Sequence, residues 1–358
     1  MECDTVRMDD RLSGLPDDLL LKILSFVRLK DAIRTSVLSP RWRYLWTSIP
    51  RLVFSSHYFS TMDKLSDFVT HVLSRRNDQV RLSSFKLYLH GEHAHDVAQR
   101  IMNHAFSLNV HRVKFKCLLE TGQWYTMPKV KFPLSLSGSQ TLKRLTLIQG
   151  SCPCDEIVLT SAQEFSSLTT LHLRFVSFYD GFLSMCPNLK NLTLVGCKVT
   201  GSPVLTICHP RLSNLTIDKG DFWTPTVNVV APRLKNLTIL RHNGKFRVSR
   251  PKLASLLLRG PYPSMFSLDG FPGLKKAILL SQSADASIVI SLLQQLYHVN
   301  YLSLSMEIIE VSFLPCNNII YLYIVFLIDF STVSEFIRGT DLTPTFRGAD
   351  LTPTFPAC

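Results

Sequence analysis

The densest group of side chains that could bind a metal is the segment His90-Gly-Glu-His-Ala-His-Asp96. Imidazole and carboxylate groups are common ligands of zinc. The segment lies between a predicted strand and a predicted helix, where polar loops are ordinary, and its spacing matches no established metal motif. We therefore expect a polar loop here, and neither a metal nor another cofactor for the chain.

The cysteines and serines offer no catalytic arrangement. Nine cysteines are scattered along the chain, and the close pair Cys152-Pro-Cys154 is neither a redox nor a zinc motif by itself. This usage indicates free thiols in a reducing compartment. No serine lies in a Gly-x-Ser-x-Gly turn, and no phosphate-binding glycine loop is present. We expect a protein that is not an enzyme.

A recurring Leu-x-x-Leu-x-Leu pattern predicts the elements of most of the chain. Clear copies begin at Leu142, Leu168, Leu189, Leu212, Leu234 and Leu253, and weaker copies begin at Leu274, Val299 and Ile319. Their spacing of 19 to 26 residues is the period of leucine-rich repeats. Each short strand hides its alternate leucines against the next repeat, because one repeat cannot bury them alone.

Upstream of these copies the repeats are expected to start irregularly. Residues 84–89 and 111–115 alternate like strands, and Ala94 to Ser107 between them has the pattern of a helix on the convex side. We predict a leucine-rich-repeat solenoid over residues 80–330, preceded by a helical bridge over residues 55–79.

The end of the sequence has a different character. The apolar run from Ile319 to Ile328 is about half as long as a membrane-spanning helix, so we predict a buried strand. Residues 331–358 contain a near-exact duplication rich in proline and threonine, which predicts a disordered tail.

The chain carries a formal net charge of +12, of which about +10 belongs to the region after residue 54. Basic residues flank the first leucine of successive repeats and should form a ridge along one rim: Lys190, Arg211, Arg233, Lys235, Lys252 and Lys275. The ridge could bind an acidic or phosphorylated protein or nucleic acid, but we favour a role in solubility.

The predicted outward face of the strands is mixed in charge. It carries Arg144, His172, Arg174 and Arg259 together with Asp218 and several threonines. Such a surface suits a protein partner better than a phosphate backbone. The candidate residues for target binding are Arg144, His172, Arg174 and Arg259 together with Lys190, Arg211, Arg233, Lys235 and Lys252 of the ridge.

The N-terminal segment predicts a small helical unit. Pro16, Asp17 and Asp18 suit the first turn of a helix, because proline lacks an N–H and the carboxylates lie at the positive end of the helix dipole. An apolar face then follows at helical spacing, formed by Leu19, Ile23, Phe26 and Val27.

A second helix is predicted to begin at Ser39-Pro40 and to carry Trp42, Leu45 and Trp46. A unit of about forty residues buries its core poorly alone. It is therefore either a helical cap on a larger domain or a docking module that completes its core with a partner.

The stretches from Leu15 to Phe26 and from Ala32 to Trp46 resemble the plant-type F-box, L-P-D-x-L-L-x-x-I-L-S-F followed by A-x-x-T-S-V-L-S-x-R-W-R-x-L-W. Residues 27–30 and Pro40 depart from the usual pattern without removing an anchor residue. The last repeats, over residues 274–305, also resemble those of plant F-box/leucine-rich-repeat proteins. Many members carry a C-terminal FBD domain, and no match to it follows residue 330.

The resemblance implies an α/β chain with a small N-terminal helical F-box over residues 11–54, after a tail of residues 1–10, followed by the solenoid. It implies binding to a Skp-type adaptor and, through it, to a cullin–RING ubiquitin ligase. The residues that would dock the adaptor are Leu15, Pro16, Leu20, Ile23, Leu24, Val37, Leu38, Trp42 and Leu45, some of which, Trp42 in particular, could equally belong to the core of the unit.

On this interpretation the chain is a non-catalytic substrate receptor that acts by proximity. Two alternatives remain open: a basic repeat scaffold that binds nucleic acid or an acidic ligand without a ligase, and a receptor that binds the adaptor but no substrate. The N-terminus has no signal peptide and no long basic run is present, so we expect a cytosolic or nuclear protein without a membrane partner.

Overall fold

A computed structural model describes residues 12, 14–90, 94–118, 130–136, 140–150, 155–160, 163–218, 226–242, 244–249, 252–260, 265–268, 273–280, 292–293, 296, 299–305 and 308. The predicted strand at Ile319 to Ile328 and the predicted tail lie outside these residues. The described helices are α1 Asp17–Leu24, α2 Leu29–Arg34, α3 Met62–Ser74 and α4 Ala94–Ser107, with 3₁₀ helices at Thr35–Val37, Leu45–Ser48, Ser56–Tyr58 and Phe182–Met185.

The described strands are short, between three and seven residues each. They are β1 Arg51–Ser55, β2 Ser84–His90, β3 Arg112–Leu118, β4 Val130–Ser135, β5 Arg144–Gln149, β6 Asp155–Thr160, β7 Thr170–Arg174, β8 Ser177–Tyr179, β9 Asn191–Val195, β10 Lys198–Thr200, β11 Val204–Cys208, β12 Asn214–Asp218, β13 Thr226–Val230, β14 Asn236–Leu240, β15 Lys245–Ser249, β16 Ser255–Arg259, β17 Met265–Leu268, β18 Lys276–Leu280 and β19 Tyr301–Leu304.

One long parallel sheet of eleven strands organises the chain. Its order is β1-β2-β3-β5-β7-β9-β12-β14-β16-β18-β19, so each repeat adds one strand beside the previous one. The pairing is in register with the leucine motif, and it sets Leu192, Leu215 and Leu237 side by side in the core. The leucine-rich-repeat solenoid predicted from the sequence is confirmed.

The sheet begins earlier than the sequence predicted. Strand β1 lies where the predicted F-box meets the predicted bridge, and it pairs in parallel with β2. Leu52 and Phe54 of β1 are buried while their neighbours face outward, which is the alternation of a half-buried strand. The first sheet strand therefore starts at Arg51 rather than near residue 80, and α3 occupies the middle of the predicted bridge.

The side of the repeats opposite the long sheet changes along the chain. Helix α4 has the bounds predicted for the convex helix. Later repeats carry short strands instead, in two four-stranded parallel sheets of order β10-β8-β6-β4 and β11-β13-β15-β17. Side chains from the long sheet, the two short sheets and the N-terminal helices belong to one buried cluster.

The N-terminal unit corrects one predicted helix. Residues 40–44 form hydrogen-bonded turns, and a 3₁₀ helix at Leu45–Ser48 follows. The amide of Trp42 donates to the Ser39 carbonyl at 3.1 Å and that of Thr47 to the Tyr44 carbonyl at 3.0 Å, so bonds three residues apart replace an α-helix. The local sequence is rich in aromatic residues, which are weaker helix formers. No described helix has the length and apolar content needed to cross a membrane.

Candidate docking face and binding groove

Helix α1 is apolar on two sides. Leu20 and Leu24, four residues apart, are buried against the rest of the chain. Leu19 and Ile23, also four residues apart, are exposed, and Phe26 just beyond the helix is 79% exposed. The apolar face predicted from Leu19 and Ile23 therefore exists, but it points away from the core.

Large exposed apolar side chains are concentrated in this unit. Eight of the eleven found among the described residues lie between residues 12 and 44: Leu12, Leu19, Ile23, Phe26, Val27, Val37, Leu38 and Tyr44. Exposed apolar side chains so concentrated in one small unit favour an interaction site there. We call these eight residues the docking face.

The docking residues predicted by resemblance divide into two groups. Ile23, Val37 and Leu38 belong to the docking face, with Val37 87% exposed, while Pro16 is exposed and Leu15 half-buried beside it. Leu20, Leu24, Trp42 and Leu45 are buried in the chain's own core, the alternative that the sequence left open for some of these residues. In this arrangement they pack beneath the docking face, and a direct docking role for them stays a prediction.

Sequence reasoning did not assign docking roles to Leu12, Leu19, Phe26, Val27 and Tyr44. A signal was present for three of them, since Leu19, Phe26 and Val27 belong to the predicted apolar face of the first helix. What the sequence left undecided is which apolar row of the helix is buried, because both rows consist of large aliphatic residues.

Two arginines hold the docking unit together. Arg41 pairs with Asp17 (Nη2 to Oδ1, 2.6 Å) and donates to the Leu15 carbonyl, which joins the turn region to the start of α1. Arg76 is buried and donates to the carbonyls of Ile49 (2.7 Å) and Val80 (3.2 Å). Burial lowers the pKa of the Arg76 guanidinium, with the nearby charge of Asp78 opposing the shift.

The long sheet exposes one side of every strand, which we call the open face. Three neighbouring asparagines on it form a hydrogen-bonded ladder. Nδ2 of Asn214 donates to Oδ1 of Asn191 at 2.6 Å, and Nδ2 of Asn236 donates to Oδ1 of Asn214 at 2.5 Å. Thr193, Thr216 and Thr238 stand in register beside the ladder, so the middle of the open face is polar and uncharged.

The predicted target-binding residues do not form one site. Arg144, His172 and Arg174 lie on the adjacent strands β5 and β7 of the open face. Arg259 lies on β16, four strands beyond β7, or about 19 Å at the usual strand spacing. The ridge residues are exposed and lie one to three residues before strands of the long sheet, at what we call its leading edge: Lys190, Arg211, Arg233, Lys235, Lys252 and Lys275.

A groove that sequence reasoning missed lies between α2 and the first strands of the long sheet. It has a volume of about 810 Å³, and eight of the described residues that line it are basic against one acid, Asp31. Five of the cations stand on four neighbouring strands, and we call them the basic cluster: Arg51, Lys86, Arg112, Lys114 and Arg144. In-register pairing aligns Lys86 with Lys114, and Arg112 with Arg144.

A histidine beside the basic cluster responds to its charge. His172 is two strands from Lys114 in the same row of the open face. Burial is the main cause of a lowered pKa at His172, and the positive charges of Arg174 and Lys114 lower the pKa further. A positive potential therefore extends from the groove onto the open face.

Other reactive groups in the described part of the chain are enclosed. Burial raises the pKa of the Cys186 and Cys197 thiols to about 12, so both stay protonated and unreactive at neutral pH. The described residues contain no group of three or more metal-ligating side chains. Most of the segment from His90 to Asp96, and the pair Cys152 and Cys154, lie outside the residues whose side chains are described.

Comparison with known families agrees with this architecture. The F-box domain matches residues 12–54, and the repeats of the "FBD-associated F-box protein At5g56370, LRR repeats" family match residues 107–307, more than half of the chain. The chain belongs to the F-box/LRR-repeat family. The first match contains the whole docking face. The second begins at the last residue of α4 and contains strands β3 to β19.

Relatives of this F-box/LRR-repeat chain occur in Arabidopsis thaliana. It is 34% identical to the F-box/FBD/LRR-repeat protein At4g00160 over 68% of the chain and 54% of that relative. It is 31% identical to the F-box/LRR-repeat protein At3g26922 over 87% of the chain and 94% of that relative. The chain spans about half the length of the F-box/FBD/LRR-repeat relatives that it matches.

Proposed function

We propose that the chain is the substrate-recognition subunit of a Skp–cullin–F-box ubiquitin ligase. The observation that carries the proposal is the docking face, an exposed apolar surface built by the F-box. F-box domains bind Skp-type adaptors. An apolar surface that is exposed in the isolated chain is typical of an interface that a partner covers in the complex. Such a complex works in the cytosol or the nucleus.

In this role the long sheet holds the target. Its open face offers hydrogen-bonding amides and hydroxyls in the middle and positive charge near β1 to β7, a mixture that suits a protein surface. The chain then contributes proximity rather than acid–base chemistry, because it holds the target near a ubiquitin-loaded enzyme and so raises its effective concentration.

The adaptor interface can be tested with single glutamate substitutions that leave the core intact. Val37→Glu and Ile23→Glu change exposed side chains, whereas truncation of the buried Leu20 would unfold the unit. Each exposed anchor should be worth about 2 kcal/mol, so each variant should bind a purified Skp-type adaptor about thirty-fold more weakly in isothermal titration.

Val230→Glu is the matched control, because Val230 is exposed to a similar degree as Ile23 but lies on β13, far along the chain. It should bind the adaptor within about two-fold of the parent chain. A folded parent chain that fails to bind the adaptor, or a Val37→Glu variant that binds like the parent, would contradict the proposal.

A further inference from the structure

The cations on the sheet side of the basic groove are not paired with carboxylates of the described part of the chain. No described carboxylate forms an ion pair with any member of the basic cluster, although the structure pairs cations elsewhere, as in Arg241 with Asp218 at 2.8 Å. Lys114 lies only at the edge of cation–π range, 5.9 Å from the Tyr88 ring centre. Five like charges on four strands repel one another, so an anion in the groove would lower the electrostatic repulsion among them.

The opposite wall is different, because its charges are already engaged. Asp31 bridges Arg28 at 2.7 Å and Arg34 at 3.3 Å. Lys30 donates to the Tyr58 carbonyl at 2.9 Å and lies 3.8 Å from the Phe59 ring centre. The sheet side of the groove therefore carries the five cations without a described carboxylate partner. The α2 side adds Arg28, Lys30 and Arg34 against the single carboxylate of Asp31, so both walls attract an anion.

Exposed apolar side chains share the groove with the cations. Val53 and Tyr58 line it, and both are large apolar residues that the fold leaves exposed and that lie outside the docking face. A ligand that consists only of phosphate and polar groups would leave these side chains without an apolar contact. A polypeptide with an apolar residue among acidic ones satisfies both kinds of surface.

The extent of the charge also decides between ligand classes. Beyond Arg174 on β7 the cations stand at the ends of the strands, while the outward positions in the middle of the next strands carry the asparagine ladder and threonines. A nucleic acid carries a charge on every nucleotide and would favour cations along the whole face. A polypeptide that leaves the groove can instead pair its backbone amides with the neutral ladder.

From these observations we infer that the basic groove binds an acidic or phosphorylated segment of a protein that also carries an apolar side chain. This inference rests on the proposed function and specifies its target class. The basic cluster receives the carboxylates or phosphates, Val53 and Tyr58 receive the apolar residue, and the asparagine ladder guides the continuing chain.

The test uses fluorescence anisotropy with the full chain. The probes are two fluorescein-labelled peptides in which a leucine is flanked either by phosphoserines or by aspartates, which separates phosphate from carboxylate recognition. Arg112→Gln/Arg144→Gln removes two cations of the cluster, and both side chains are exposed, so the fold should persist. This variant should bind the preferred peptide at least about ten-fold more weakly.

Lys190→Gln/Lys235→Gln is the matched control, since it removes the same charge from the leading edge of the sheet. It should change peptide affinity less than about two-fold. Equal losses in both double variants would overturn the assignment to the groove. Absence of binding to either peptide would also overturn it.

Two competitors test the ligand class. Preferred binding of a single-stranded oligonucleotide of equal charge, with a steep loss of affinity as salt rises, would overturn the inference in favour of nucleic acid. Inorganic tripolyphosphate that binds as tightly as the peptide would overturn the need for an apolar residue. Adaptor affinity is measured on the same samples, so that failure of the groove and failure of the ligase role are distinguished.

Discussion

Phe26 and Phe115 are the same residue type in the two halves of this molecule, yet Phe26 is 79% exposed and Phe115 is fully buried. Phe26 belongs to a helical unit that turns part of its apolar surface outward. Phe115 belongs to β3, where neighbouring strands and α4 enclose the alternate side chains. The contrast teaches that apolar residues have two fates here: in the sheet they are buried and stabilise the chain, and in the F-box several stay exposed, where the proposed function assigns them to a partner.

The two halves also differ in how they satisfy polar groups. The long sheet repeats one solution, with parallel backbone ladders and the asparagine ladder on its open face. The F-box and the segment that follows it use individual solutions, such as Arg41 bonded to the start of α1 and the buried Arg76 after α3 bonded to the Ile49 carbonyl. Because a repeated element has neighbours on both sides, it tolerates local change better than a unit held by single contacts.

The largest expected effect tests the difference in burial directly. Phe115→Ala should lower the free energy of unfolding by about 3–5 kcal/mol, because it opens a cavity in a closed core. Phe26→Ala should lower it by less than about 0.5 kcal/mol while it weakens adaptor binding. Urea denaturation of both variants measures the pair, and similar losses of stability would remove the basis of the comparison.

The next effect concerns the single contacts between the F-box and the segment that follows it. Arg76→Met should cost about 2–3 kcal/mol of unfolding free energy, because it leaves the Ile49 and Val80 carbonyls without their charged donor. Arg75→Met changes an exposed neighbour with the same side chain and should cost almost nothing. Thermal denaturation of both variants gives the measurement. Equal melting temperatures would show that the Arg76 hydrogen bonds do not stabilise the fold.

A smaller effect is expected on the open face. Asn214→Ala removes two links of the asparagine ladder and should cost about 1 kcal/mol, since each partly exposed hydrogen bond contributes little net stability. Asn214→Gln, which keeps the amide but displaces it, should lose most of the same stability. If Asn214→Ala unfolds in urea like the parent chain, the ladder contributes no measurable stability.

The smallest effect concerns pH. His209 is buried, its Nε2 atom has no hydrogen-bond partner among the described residues, and burial lowers its pKa, opposed by a backbone hydrogen bond with Leu183. A lowered pKa means that the unfolded chain binds more protons, so stability should be full above about pH 6.5 and fall as the pH drops toward the folded value. His172 has a shift in the same direction and adds to this trend.

Urea midpoints at neutral and mildly acidic pH provide the check. His209→Leu should show a smaller loss of stability on acidification than the parent chain, whereas His71→Leu, at an exposed position of α3, should show the same loss as the parent. An unchanged pH dependence in His209→Leu would assign the acid sensitivity to other groups.

Sequence reasoning reached far into the sheet because the leucine spacing has a direct physical meaning. Leu192, Leu215 and Leu237 must be buried by adjacent repeats, so their strands could be predicted. Strand β1 escaped prediction because its pattern is one short alternation, Leu52 and Phe54, without the leucine motif. It pairs with β2, which is distant in the sequence, and no local sequence pattern predicts that pairing.

The sites were less predictable for the same reason. The apolar residues of α1 could be read from the sequence, but only packing shows that Leu20 and Leu24 point inward and Leu19 and Ile23 outward. The basic groove joins Arg51 to residues as far away as Arg144 and closes them against α2. These positions share no motif, and they meet only because the sheet stacks its strands in register.

The early start of the long sheet fixes the reach of the molecule. Strand β1 follows the helical unit at once, and the Pro50 carbonyl accepts hydrogen bonds from the amides of Ser83 and Ser84. A hinge at this junction would break these hydrogen bonds and the β1–β2 pairing, so the F-box is fixed to the first strands of the sheet. Each strand adds about 4.8 Å, so β14 lies about 34 Å from β1 along the sheet. If the proposed function holds, the strand on which a target is seated would therefore set which of its lysines comes within range of ubiquitin.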